Sequence, residues 1–334
     1  MAKKDLEDIR VQLGMMMNHL EPLSKSDQSN FIRHYWIMQY GTPMNKNKLT
    51  NSIAKDVSKL VDAETAFDFC LDLSFAARTY ASNVVSADPK QKFYVPHGNL
   101  IQCGFKQYRP LLLALVQRKN VSEDEYINIF KIIETIYVRF LLIGRQKASL
   151  LEPVIAAWAK NATDENKSVS TLINKWVNDA KKLEEKFDFK IGFQALKLTS
   201  KKKAKYILTK IEAHKDPDVK EKHLLDAKIE TILPQSKESS DWNETWPTFN
   251  ARHHADKLQD SIGNYVLMHV KSGLGREANW ETKREFYRNR ATYSTTLNIA
   301  EKNTQWSETS IRQTSIIRAN IAENIWTLDS INTS

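Results

Sequence analysis

The sequence predicts a mainly α-helical protein with a small mixed α+β part towards its C-terminal end. Glycine and proline are scarce, with nine of each in 334 residues, whereas turn-rich all-β chains need more of both. Apolar residues recur at three- and four-residue steps through most of residues 6–213, which is the period of helices with one buried face. After residue 214, short extended runs take over. We therefore predict an α-helical domain over residues 1–215 and a second domain over residues 216–334.

The helical domain is predicted segment by segment from this periodicity. The clearest segment covers residues 123–144, where Ser122 is a suitable N-cap and Gly144 is a suitable stop. Further helices are predicted at residues 26–40, 49–60, 62–83, 99–118, 150–160, 168–183 and 201–213. The pattern does not repeat at a fixed interval, which disfavours a solenoid. An N-terminal helical bundle is the architecture that these segments favour.

The second domain follows a linker in which Pro217 ends the preceding helix. Extended runs are predicted at residues 223–233 and 262–268, and helices at residues 279–288 and 307–326. Four tryptophans of this region are expected to be core residues: Trp242, Trp246, Trp280 and Trp306. The order strand, loop, strand, helix is that of a ββα metal-dependent nuclease finger, here wrapped by C-terminal helices.

Composition limits the classes of function. The formal charge of +9 and the pI of about 9.2 indicate either a polyanionic partner or simply a soluble basic protein. Cys70 and Cys103 lie in apolar helical patterns, which favours buried thiols in a reduced, cytoplasmic chain. No window approaches about 18 uncharged apolar residues, so a membrane span is not expected. The sequence has no phosphate-binding glycine loop, no Cys-x-x-Cys zinc pair and no Ser-His-Asp hydrolase signature.

Two motifs stand out in the second domain. Residues 229–235 read Ile-Glu-Thr-Ile-Leu-Pro-Gln, and residues 263–268 read Gly-Asn-Tyr-Val-Leu-Met. They are accompanied by two loop tryptophans, an aromatic-x-x-Lys-x-x-x-Tyr helix and two tryptophans that bracket the last helix: Trp242 and Trp246, then Trp280, Lys283 and Tyr287, then Trp306 and Trp326. In this order, residues 224–329 resemble the HNH-type (His-Me finger) nuclease domain of GmrSD-like restriction endonucleases. That family ends its first strand with a Glu-His-Ile-Leu-Pro-Gln-like motif, so Thr231 stands in place of the family's catalytic histidine.

The resemblance implies a site for phosphodiester hydrolysis. Such a site needs a base to deprotonate water and a divalent cation to stabilise charge on the phosphate. By resemblance, Glu230 is the metal-holding acid, for Mg²⁺ or Mn²⁺ if the domain is active, and Asn264 belongs to the catalytic motif, where it is expected to orient the finger rather than to bind metal. Thr231 cannot act as a base near neutral pH, because its hydroxyl does not titrate there. The family's later asparagines, expected near residues 272–273 and 277–278, are not kept in register, although Asn279 is close by.

Other histidines are candidates for the missing base. His269, on or just after the second strand, is the better candidate for a substitute base. His253 and His254 are adjacent, and adjacent side chains rarely point the same way. His223 is expected to lie at the surface.

Basic side chains indicate where DNA would bind. Lys283, Arg284, Arg288 and Arg290 lie on and after the predicted finger helix, where contacts with phosphate would position a duplex without reading its sequence. The run at residues 200–205, Ser-Lys-Lys-Lys-Ala-Lys, is either a second phosphate contact or a solvated first helical turn. Residues 33–36, Arg-His-Tyr-Trp, combine basic and aromatic groups, but their helical spacing favours core packing.

The expected function is that of a DNA-binding component of a bacterial anti-phage or restriction system with a degenerate HNH-type nuclease domain. One alternative is an active divalent-metal endonuclease with a displaced base. Another is a structural effector that docks on a nucleotide-sensing subunit. Residues 31–41 resemble the helical region that precedes the nuclease in single-chain members. In those members, a nucleotide-sensing N-terminal domain carries an Asp-Gly-Gln-Gln-Arg-type motif. This sequence does not contain that motif, so the chain is expected to be a fragment or the nuclease-side partner of a split system.

Overall fold

A computed structural model describes residues 6–331 apart from 92, 185–187, 235–241, 243–257, 270–272 and 275–277. The chain forms two compact units. The first comprises Met1–Tyr137, Gln146–Leu183 and Leu328–Ser334, and the second comprises Val138–Arg145 and Glu184–Thr327. The described part is mainly helical with one two-stranded sheet, which confirms the coarse fold class that the sequence predicts.

The first unit is built from helices whose ends are set by capping residues. They are α1 (Leu6–Leu20), α2 (Lys25–Tyr40), α3 (Lys46–Val57), α4 (Ala63–Thr79), α5 (Tyr94–Gln102), α6 (Arg109–Gln117), α7 (Glu123–Ile136), α8 (Glu152–Ala162) and α9 (Val169–Glu184). Asp62 and Ser122 each form a capping box with the residue three positions later, and these boxes fix where α4 and α7 begin. π-Helical turns extend α4 over Tyr80–Val84 and α7 over Tyr137–Ile143.

Aromatic side chains fill the interior of the first unit. The rings of Phe93 and Phe130 stack with centroids 5.2 Å apart, and His97 Nδ1 lies 2.8 Å from the Tyr108 hydroxyl. Burial lowers the pKa of His97 to about 4, so this histidine is a neutral core residue at physiological pH.

The basic and aromatic residues at positions 33–36 pack as the helical spacing predicts. His34, Tyr35 and Trp36 are buried in α2, and burial lowers the pKa of His34 to about 3. Arg33 is partly exposed and pairs with the carboxylate of Glu152 at 3.0 Å. These residues therefore serve the helical core rather than a nucleic-acid surface.

The single helix predicted over residues 99–118 is wrong, because two helices occupy this stretch. Helix α5 ends at Gln102, Gly104 adopts a left-handed φ of 76°, and α6 begins at Arg109 with Pro110 in its first turn. A glycine at positive φ typically follows a helix end, and proline is favoured in the first turn of a new helix. Both signals are present in the sequence.

The second unit packs helices around a two-stranded ribbon. Its helices are α10 (Phe189–Gln194), α11 (Lys201–Lys215), α12 (Trp280–Arg290), α13 (Ser294–Lys302) and α14 (Glu308–Ile325). Strands β1 (Lys228–Thr231) and β2 (Tyr265–Met268) pair antiparallel, with Lys228 opposite Met268 and Thr231 opposite Tyr265. Short 3₁₀ turns, Glu221–Leu224 and Ile262–Asn264, precede the two strands. The strands are therefore shorter than the extended runs predicted at residues 223–233 and 262–268.

Helix α11 belongs to the second unit, which differs from the predicted boundary after residue 215. Its Ile207 and Ile211 are buried, and the helix packs against α14 and β2. Glu212 is also fully buried, and its carboxylate accepts hydrogen bonds from the backbone N–H groups of Ser294 and Thr295 at 2.6 and 3.0 Å. This carboxylate satisfies N–H groups at the start of α13 that have no partner within the helix.

Gly263 allows α14 to approach the ribbon closely. A Cβ added at this position would lie 2.1 Å from the carbonyl oxygen of Ile311 and 2.5 Å from the hydroxyl of Ser315. Beside this contact, the buried guanidinium of Arg318 donates to the carbonyl of Ile262. The glycine of the Gly-Asn motif is therefore required by packing, because the backbone of α14 occupies the space of a side chain.

Buried cysteines and tryptophans agree with the sequence. Cys70 and Cys103 are both free and buried. Trp242, Trp280 and Trp306 are buried, whereas Trp246 lies outside the described residues. Among the helices that are described, none has the length and apolar character needed to cross a membrane.

Candidate functional site

The Ile-Glu-Thr-Ile-Leu-Pro-Gln motif forms β1 and the segment that follows it. Glu230 lies opposite Val266 and Thr231 lies opposite Tyr265. Cross-strand partners share a face of the ribbon, and neighbours along a strand alternate between faces. Glu230 therefore lies on the face of Val266, which packs in the same core as Tyr287 of α12. Thr231 lies on the opposite face, and both motif side chains are partly buried.

Lys283 ties helix α12 to the end of β1. The residue is 4% exposed, and its Nζ donates to the carbonyl oxygens of Thr231 and Ile232 at 3.2 and 2.7 Å. Its ammonium lies 5.7 Å from the ring centre of Trp242, a distance typical of a cation–π contact. Burial lowers the pKa of Lys283 to about 8, and the carboxylate of Glu230 opposes part of that shift. This buried position differs from the phosphate contact predicted for Lys283, because the ammonium is already held by two carbonyl groups.

Asn264 joins the ribbon to the segment after β1 through four side-chain hydrogen bonds. Its Oδ1 accepts from the backbone N–H of Leu233 at 2.8 Å and from the indole N–H of Trp306 at 3.3 Å. Its Nδ2 donates to the carbonyl oxygens of Leu233 and Gln259, both at 3.0 Å. The residue is fully buried, and these bonds use both lone pairs and both N–H groups of the amide. The amide therefore has no donor or acceptor left for a substrate.

His269 is exposed directly after β2. Met268, the residue before it, pairs with Lys228, whereas Thr231 pairs with Tyr265 at the other end of the ribbon. His269 is four residues beyond Tyr265, so at about 3.4 Å per residue the ribbon separates it from Thr231 by about 14 Å. A base at His269 would thus act at a different place from Thr231.

The three arginines predicted to contact DNA differ in their surroundings. The Nε of Arg284 donates to the carbonyl of Ala300 at 3.0 Å, and its guanidinium lies 3.6 Å from the carboxylate of Glu281. Arg284 therefore contributes to the packing of α12. Arg288 and Arg290 are exposed in the last turn of this helix. These two side chains have the accessibility that a phosphate contact requires.

The hydroxyl of Tyr287 is a buried group near Glu230. The side chain is fully buried, and its hydroxyl has no hydrogen-bond partner within the described ranges. Burial, with a smaller contribution from the carboxylate of Glu230, raises the pKa of Tyr287. The phenol is therefore neutral at physiological pH and is not a general base there.

The described residues do not fit the divalent-metal centre that the resemblance implies. Mg²⁺ takes oxygen ligands in near-octahedral geometry, yet no group of three or more His, Cys, Asp or Glu side chains within the described part of the chain could hold a metal ion. The carboxylate of Glu230 raises the pKa of Lys283 and so lies near that ammonium. The amide oxygen of Asn264 is already fully bonded.

Several predicted positions lie outside the described residues. They are Gln235, Trp246, His253, His254 and positions 272 and 277, near which the family's asparagines are expected. Asn279 is described, and its side chain accepts from the backbone N–H of Thr282 at 3.0 Å as the N-cap of α12. The asparagine closest to the expected positions thus begins a helix. His223 is exposed, in the 3₁₀ turn Glu221–Leu224.

The ribbon and α12, covered by α13 and α14, define a ββα unit in which most motif residues hold the fold together. Residues 161–317 match the family model of the C-terminal domain of GmrSD restriction endonucleases. The recognition made from the motif order is thereby confirmed, and this part of the chain is similar to that family. The match begins near the end of α8 and so extends upstream of residues 224–329, which carry the motifs. No curated protein matches the chain.

Proposed function

We propose that this chain is a DNA-binding component of a restriction system, in which an HNH-type nuclease domain keeps its fold and has lost the standard cleavage chemistry. Residues 161–317 match the C-terminal domain of GmrSD restriction endonucleases, which supports DNA as the class of partner and defence against foreign DNA, such as that of phages, as the class of process. The observation that carries the proposal is Thr231 in the Ile-Glu-Thr-Ile-Leu-Pro-Gln motif, at the place where the resemblance expects the family's base.

The loss of chemistry follows from the groups around that position. A threonine hydroxyl does not titrate near neutral pH, and general-base catalysis contributes about 10²–10⁴-fold to a reaction rate. The neighbouring polar groups do not compensate, because Asn264 and Lys283 are engaged by backbone groups of the fold. The remaining acid is Glu230, and it does not belong to a group of three or more metal-ligating side chains in the described ranges.

DNA binding is assigned to exposed basic side chains of the second unit. Arg288 and Arg290 end helix α12, and Lys201 and Lys202 are exposed at the start of α11. Cations of this kind contact phosphates and release counterions, which gives affinity that depends on salt and little on sequence. The formal charge of +9 for the chain is consistent with such a partner.

Charge reversal of Arg288 and Arg290 together tests this assignment. If both contact phosphate, duplex binding should weaken and the slope of log K against log salt should flatten by about 1.8, since each contact contributes about 0.9. Fluorescence anisotropy of a labelled duplex over a salt series measures both quantities. The matched control is the reversal of Arg10 and Arg78, which are exposed on α1 and α4 of the first unit. An unchanged slope in the first double variant, or an equal flattening in the control, would contradict the assignment.

The two alternative functions give different results in the same samples. An active endonuclease that uses His269, which is exposed, would nick supercoiled plasmid with Mg²⁺ or Mn²⁺ and would lose this activity in His269→Ala. A structural effector that docks on a nucleotide-sensing subunit would show no duplex binding even at about 50 mM salt.

A further inference from the structure

Helices α11, α13 and α14 of the second unit line a cavity of about 220 Å³ that is open to solvent on one side. The residues around it lie outside the sequence motifs. Four isoleucines form its apolar part: Ile211, Ile299, Ile317 and Ile321. This volume is below the roughly 300 Å³ at which pockets for drug-sized ligands begin, so a ligand of that size would lie partly in solvent at the open side.

The charged groups of this cavity are all cations. Lys215, Lys302 and Arg318 line it, and its lining, which lies wholly in the described part of the chain, includes no acid. Lys215 and Lys302 are exposed in the last turns of α11 and α13. A cation at a helix C-terminus also complements the helix dipole, but that role does not account for an apolar hollow between the two lysines.

Arg318 places a buried positive group at the cavity. The residue is 3% exposed. Within the described part of the chain, its Nη1 donates a hydrogen bond to the carbonyl of Ile262. Burial lowers the pKa of Arg318, and the carboxylate of Glu212 opposes that shift. The oxygens of Glu212 are themselves bonded to N–H groups at the start of α13. A guanidinium carries several N–H donors, so an anion in the cavity would meet donors that Ile262 does not use.

Amide side chains add hydrogen-bond acceptors. Asn298 and Asn303 line the cavity, and each donates its Nδ2 to a carbonyl of α13, at 2.6 and 2.8 Å. Their Oδ1 atoms remain as acceptors, which is the complement of the exocyclic amino group of adenine or cytosine.

We propose that this cavity binds one nucleotide, with its phosphate held by Lys215, Lys302 and Arg318 and its base packed against the isoleucines. Isoleucines alone would accept any hydrophobic group, and the cations alone would accept any anion. A nucleoside monophosphate combines an anion, a flat apolar surface and amino donors in one small molecule. A free mononucleotide and one nucleotide of a single strand share this chemistry. Neither Thr231 nor Arg288 lines the cavity. An experiment can therefore disprove nucleotide binding at the cavity without disproving the proposed DNA binding, and the reverse.

Isothermal titration calorimetry of the full chain with adenosine monophosphate tests the proposal. We expect saturable binding, with adenosine and inorganic phosphate each at least about tenfold weaker, because each presents only part of the chemistry. Lys215→Glu and Lys302→Glu should each weaken binding of the nucleotide by at least about tenfold. Lys222→Glu, the same charge change at an exposed lysine of the same unit that does not line the cavity, should leave it unchanged. The three lysines are exposed, so these variants should keep the circular dichroism spectrum of the parent.

A second variant and a competitor complete the test. Ile317 is 52% exposed, so Ile317→Glu should fold normally while it opposes an anionic ligand and removes an apolar contact. The competitor is a short single-stranded oligonucleotide of adenosines. If it displaces the mononucleotide, the natural ligand is one nucleotide of a strand. If it does not, the natural ligand is the free mononucleotide. The proposal is overturned if neither ligand binds, if inorganic phosphate binds as tightly as the mononucleotide, or if Lys222→Glu weakens binding as much as Lys215→Glu does.

Discussion

Replacing Lys283 with methionine retains an apolar stem of similar length and removes the ammonium that ties α12 to the end of β1. Two hydrogen bonds from a charged donor are lost, and the carbonyl of Ile232, which is fully buried, is left without this donor. Hydrogen bonds to charged groups are worth about 1.5–3 kcal/mol each, although relief from burying the ammonium offsets part of that loss. We therefore expect Lys283→Met to lower the free energy of unfolding by about 1–3 kcal/mol at neutral pH.

The pH dependence of this difference separates a buried lysine from a solvated one. Burial lowers the pKa of Lys283 from 10.5 to about 8, which corresponds to about 3 kcal/mol less favourable proton binding in the folded state. Between about pH 8 and pH 10, the unfolded chain keeps this proton while the folded chain loses it, so the folded state gains stability as the pH rises. The stability difference between the parent and Lys283→Met should therefore widen by about 2 kcal/mol over that interval.

Urea unfolding followed by tryptophan fluorescence, at several pH values between about 7 and 10, measures both effects. Lys222→Met, at an exposed lysine of the same unit, is the control and should show neither. In the DNA-binding assay, Lys283→Met should leave the salt slope unchanged, because its ammonium contacts carbonyl groups rather than phosphate. A stability difference below about 0.5 kcal/mol that stays constant with pH would refute the argument, since surface substitutions give values of that size.

Two further substitutions test the packing and the chemistry of the ββα unit. Gly263→Ala should lower the free energy of unfolding by about 1–3 kcal/mol or more, because its Cβ would lie 2.1 Å from a backbone oxygen of α14. The same change at Gly14, which has no atom within 4 Å of an added Cβ, should instead stabilise α1 by about 0.5–1 kcal/mol, and equal effects at the two sites would rule out the clash. Thr231→His restores only the base and should leave plasmid nicking at background, because the described residues contain no metal-ligating cluster. A gain of about 10²-fold or more with Mg²⁺ would show instead that the base alone was missing.

Local sequence signals predicted most of the helices, although they merged α5 and α6 into one. Helix α7 begins after the predicted N-cap Ser122, and its apolar stripe continues through a π-helical turn to Ile143, just before the predicted stop at Gly144. The strands were predicted less well, because β1 is limited to Lys228–Thr231 by its pairing with β2. That pairing joins segments far apart in the sequence, so composition around residues 223–233 could not reveal where it ends.

The partners of buried charged groups were the part that the sequence could not predict. Lys283 shares the helical face of Trp280 and Tyr287, but this spacing gives no sign that the carbonyl groups of Thr231 and Ile232 receive its ammonium. Glu212 and Arg318 are likewise buried by contacts between helices distant in the sequence. The motif order, by contrast, identified the family correctly, because the spacing of the motifs reflects the fold as a whole.

Plasmid cleavage and duplex binding, measured on the same preparation of the parent chain, test the central claim most directly. The account predicts sequence-independent binding that weakens steeply between about 50 and 200 mM salt. It also predicts that supercoiled plasmid stays intact with Mg²⁺ or Mn²⁺, at the same background as a Glu230→Gln variant. Metal-dependent nicking by the parent chain that Glu230→Gln abolishes would contradict the account, as would an absence of duplex binding at the lowest salt concentration.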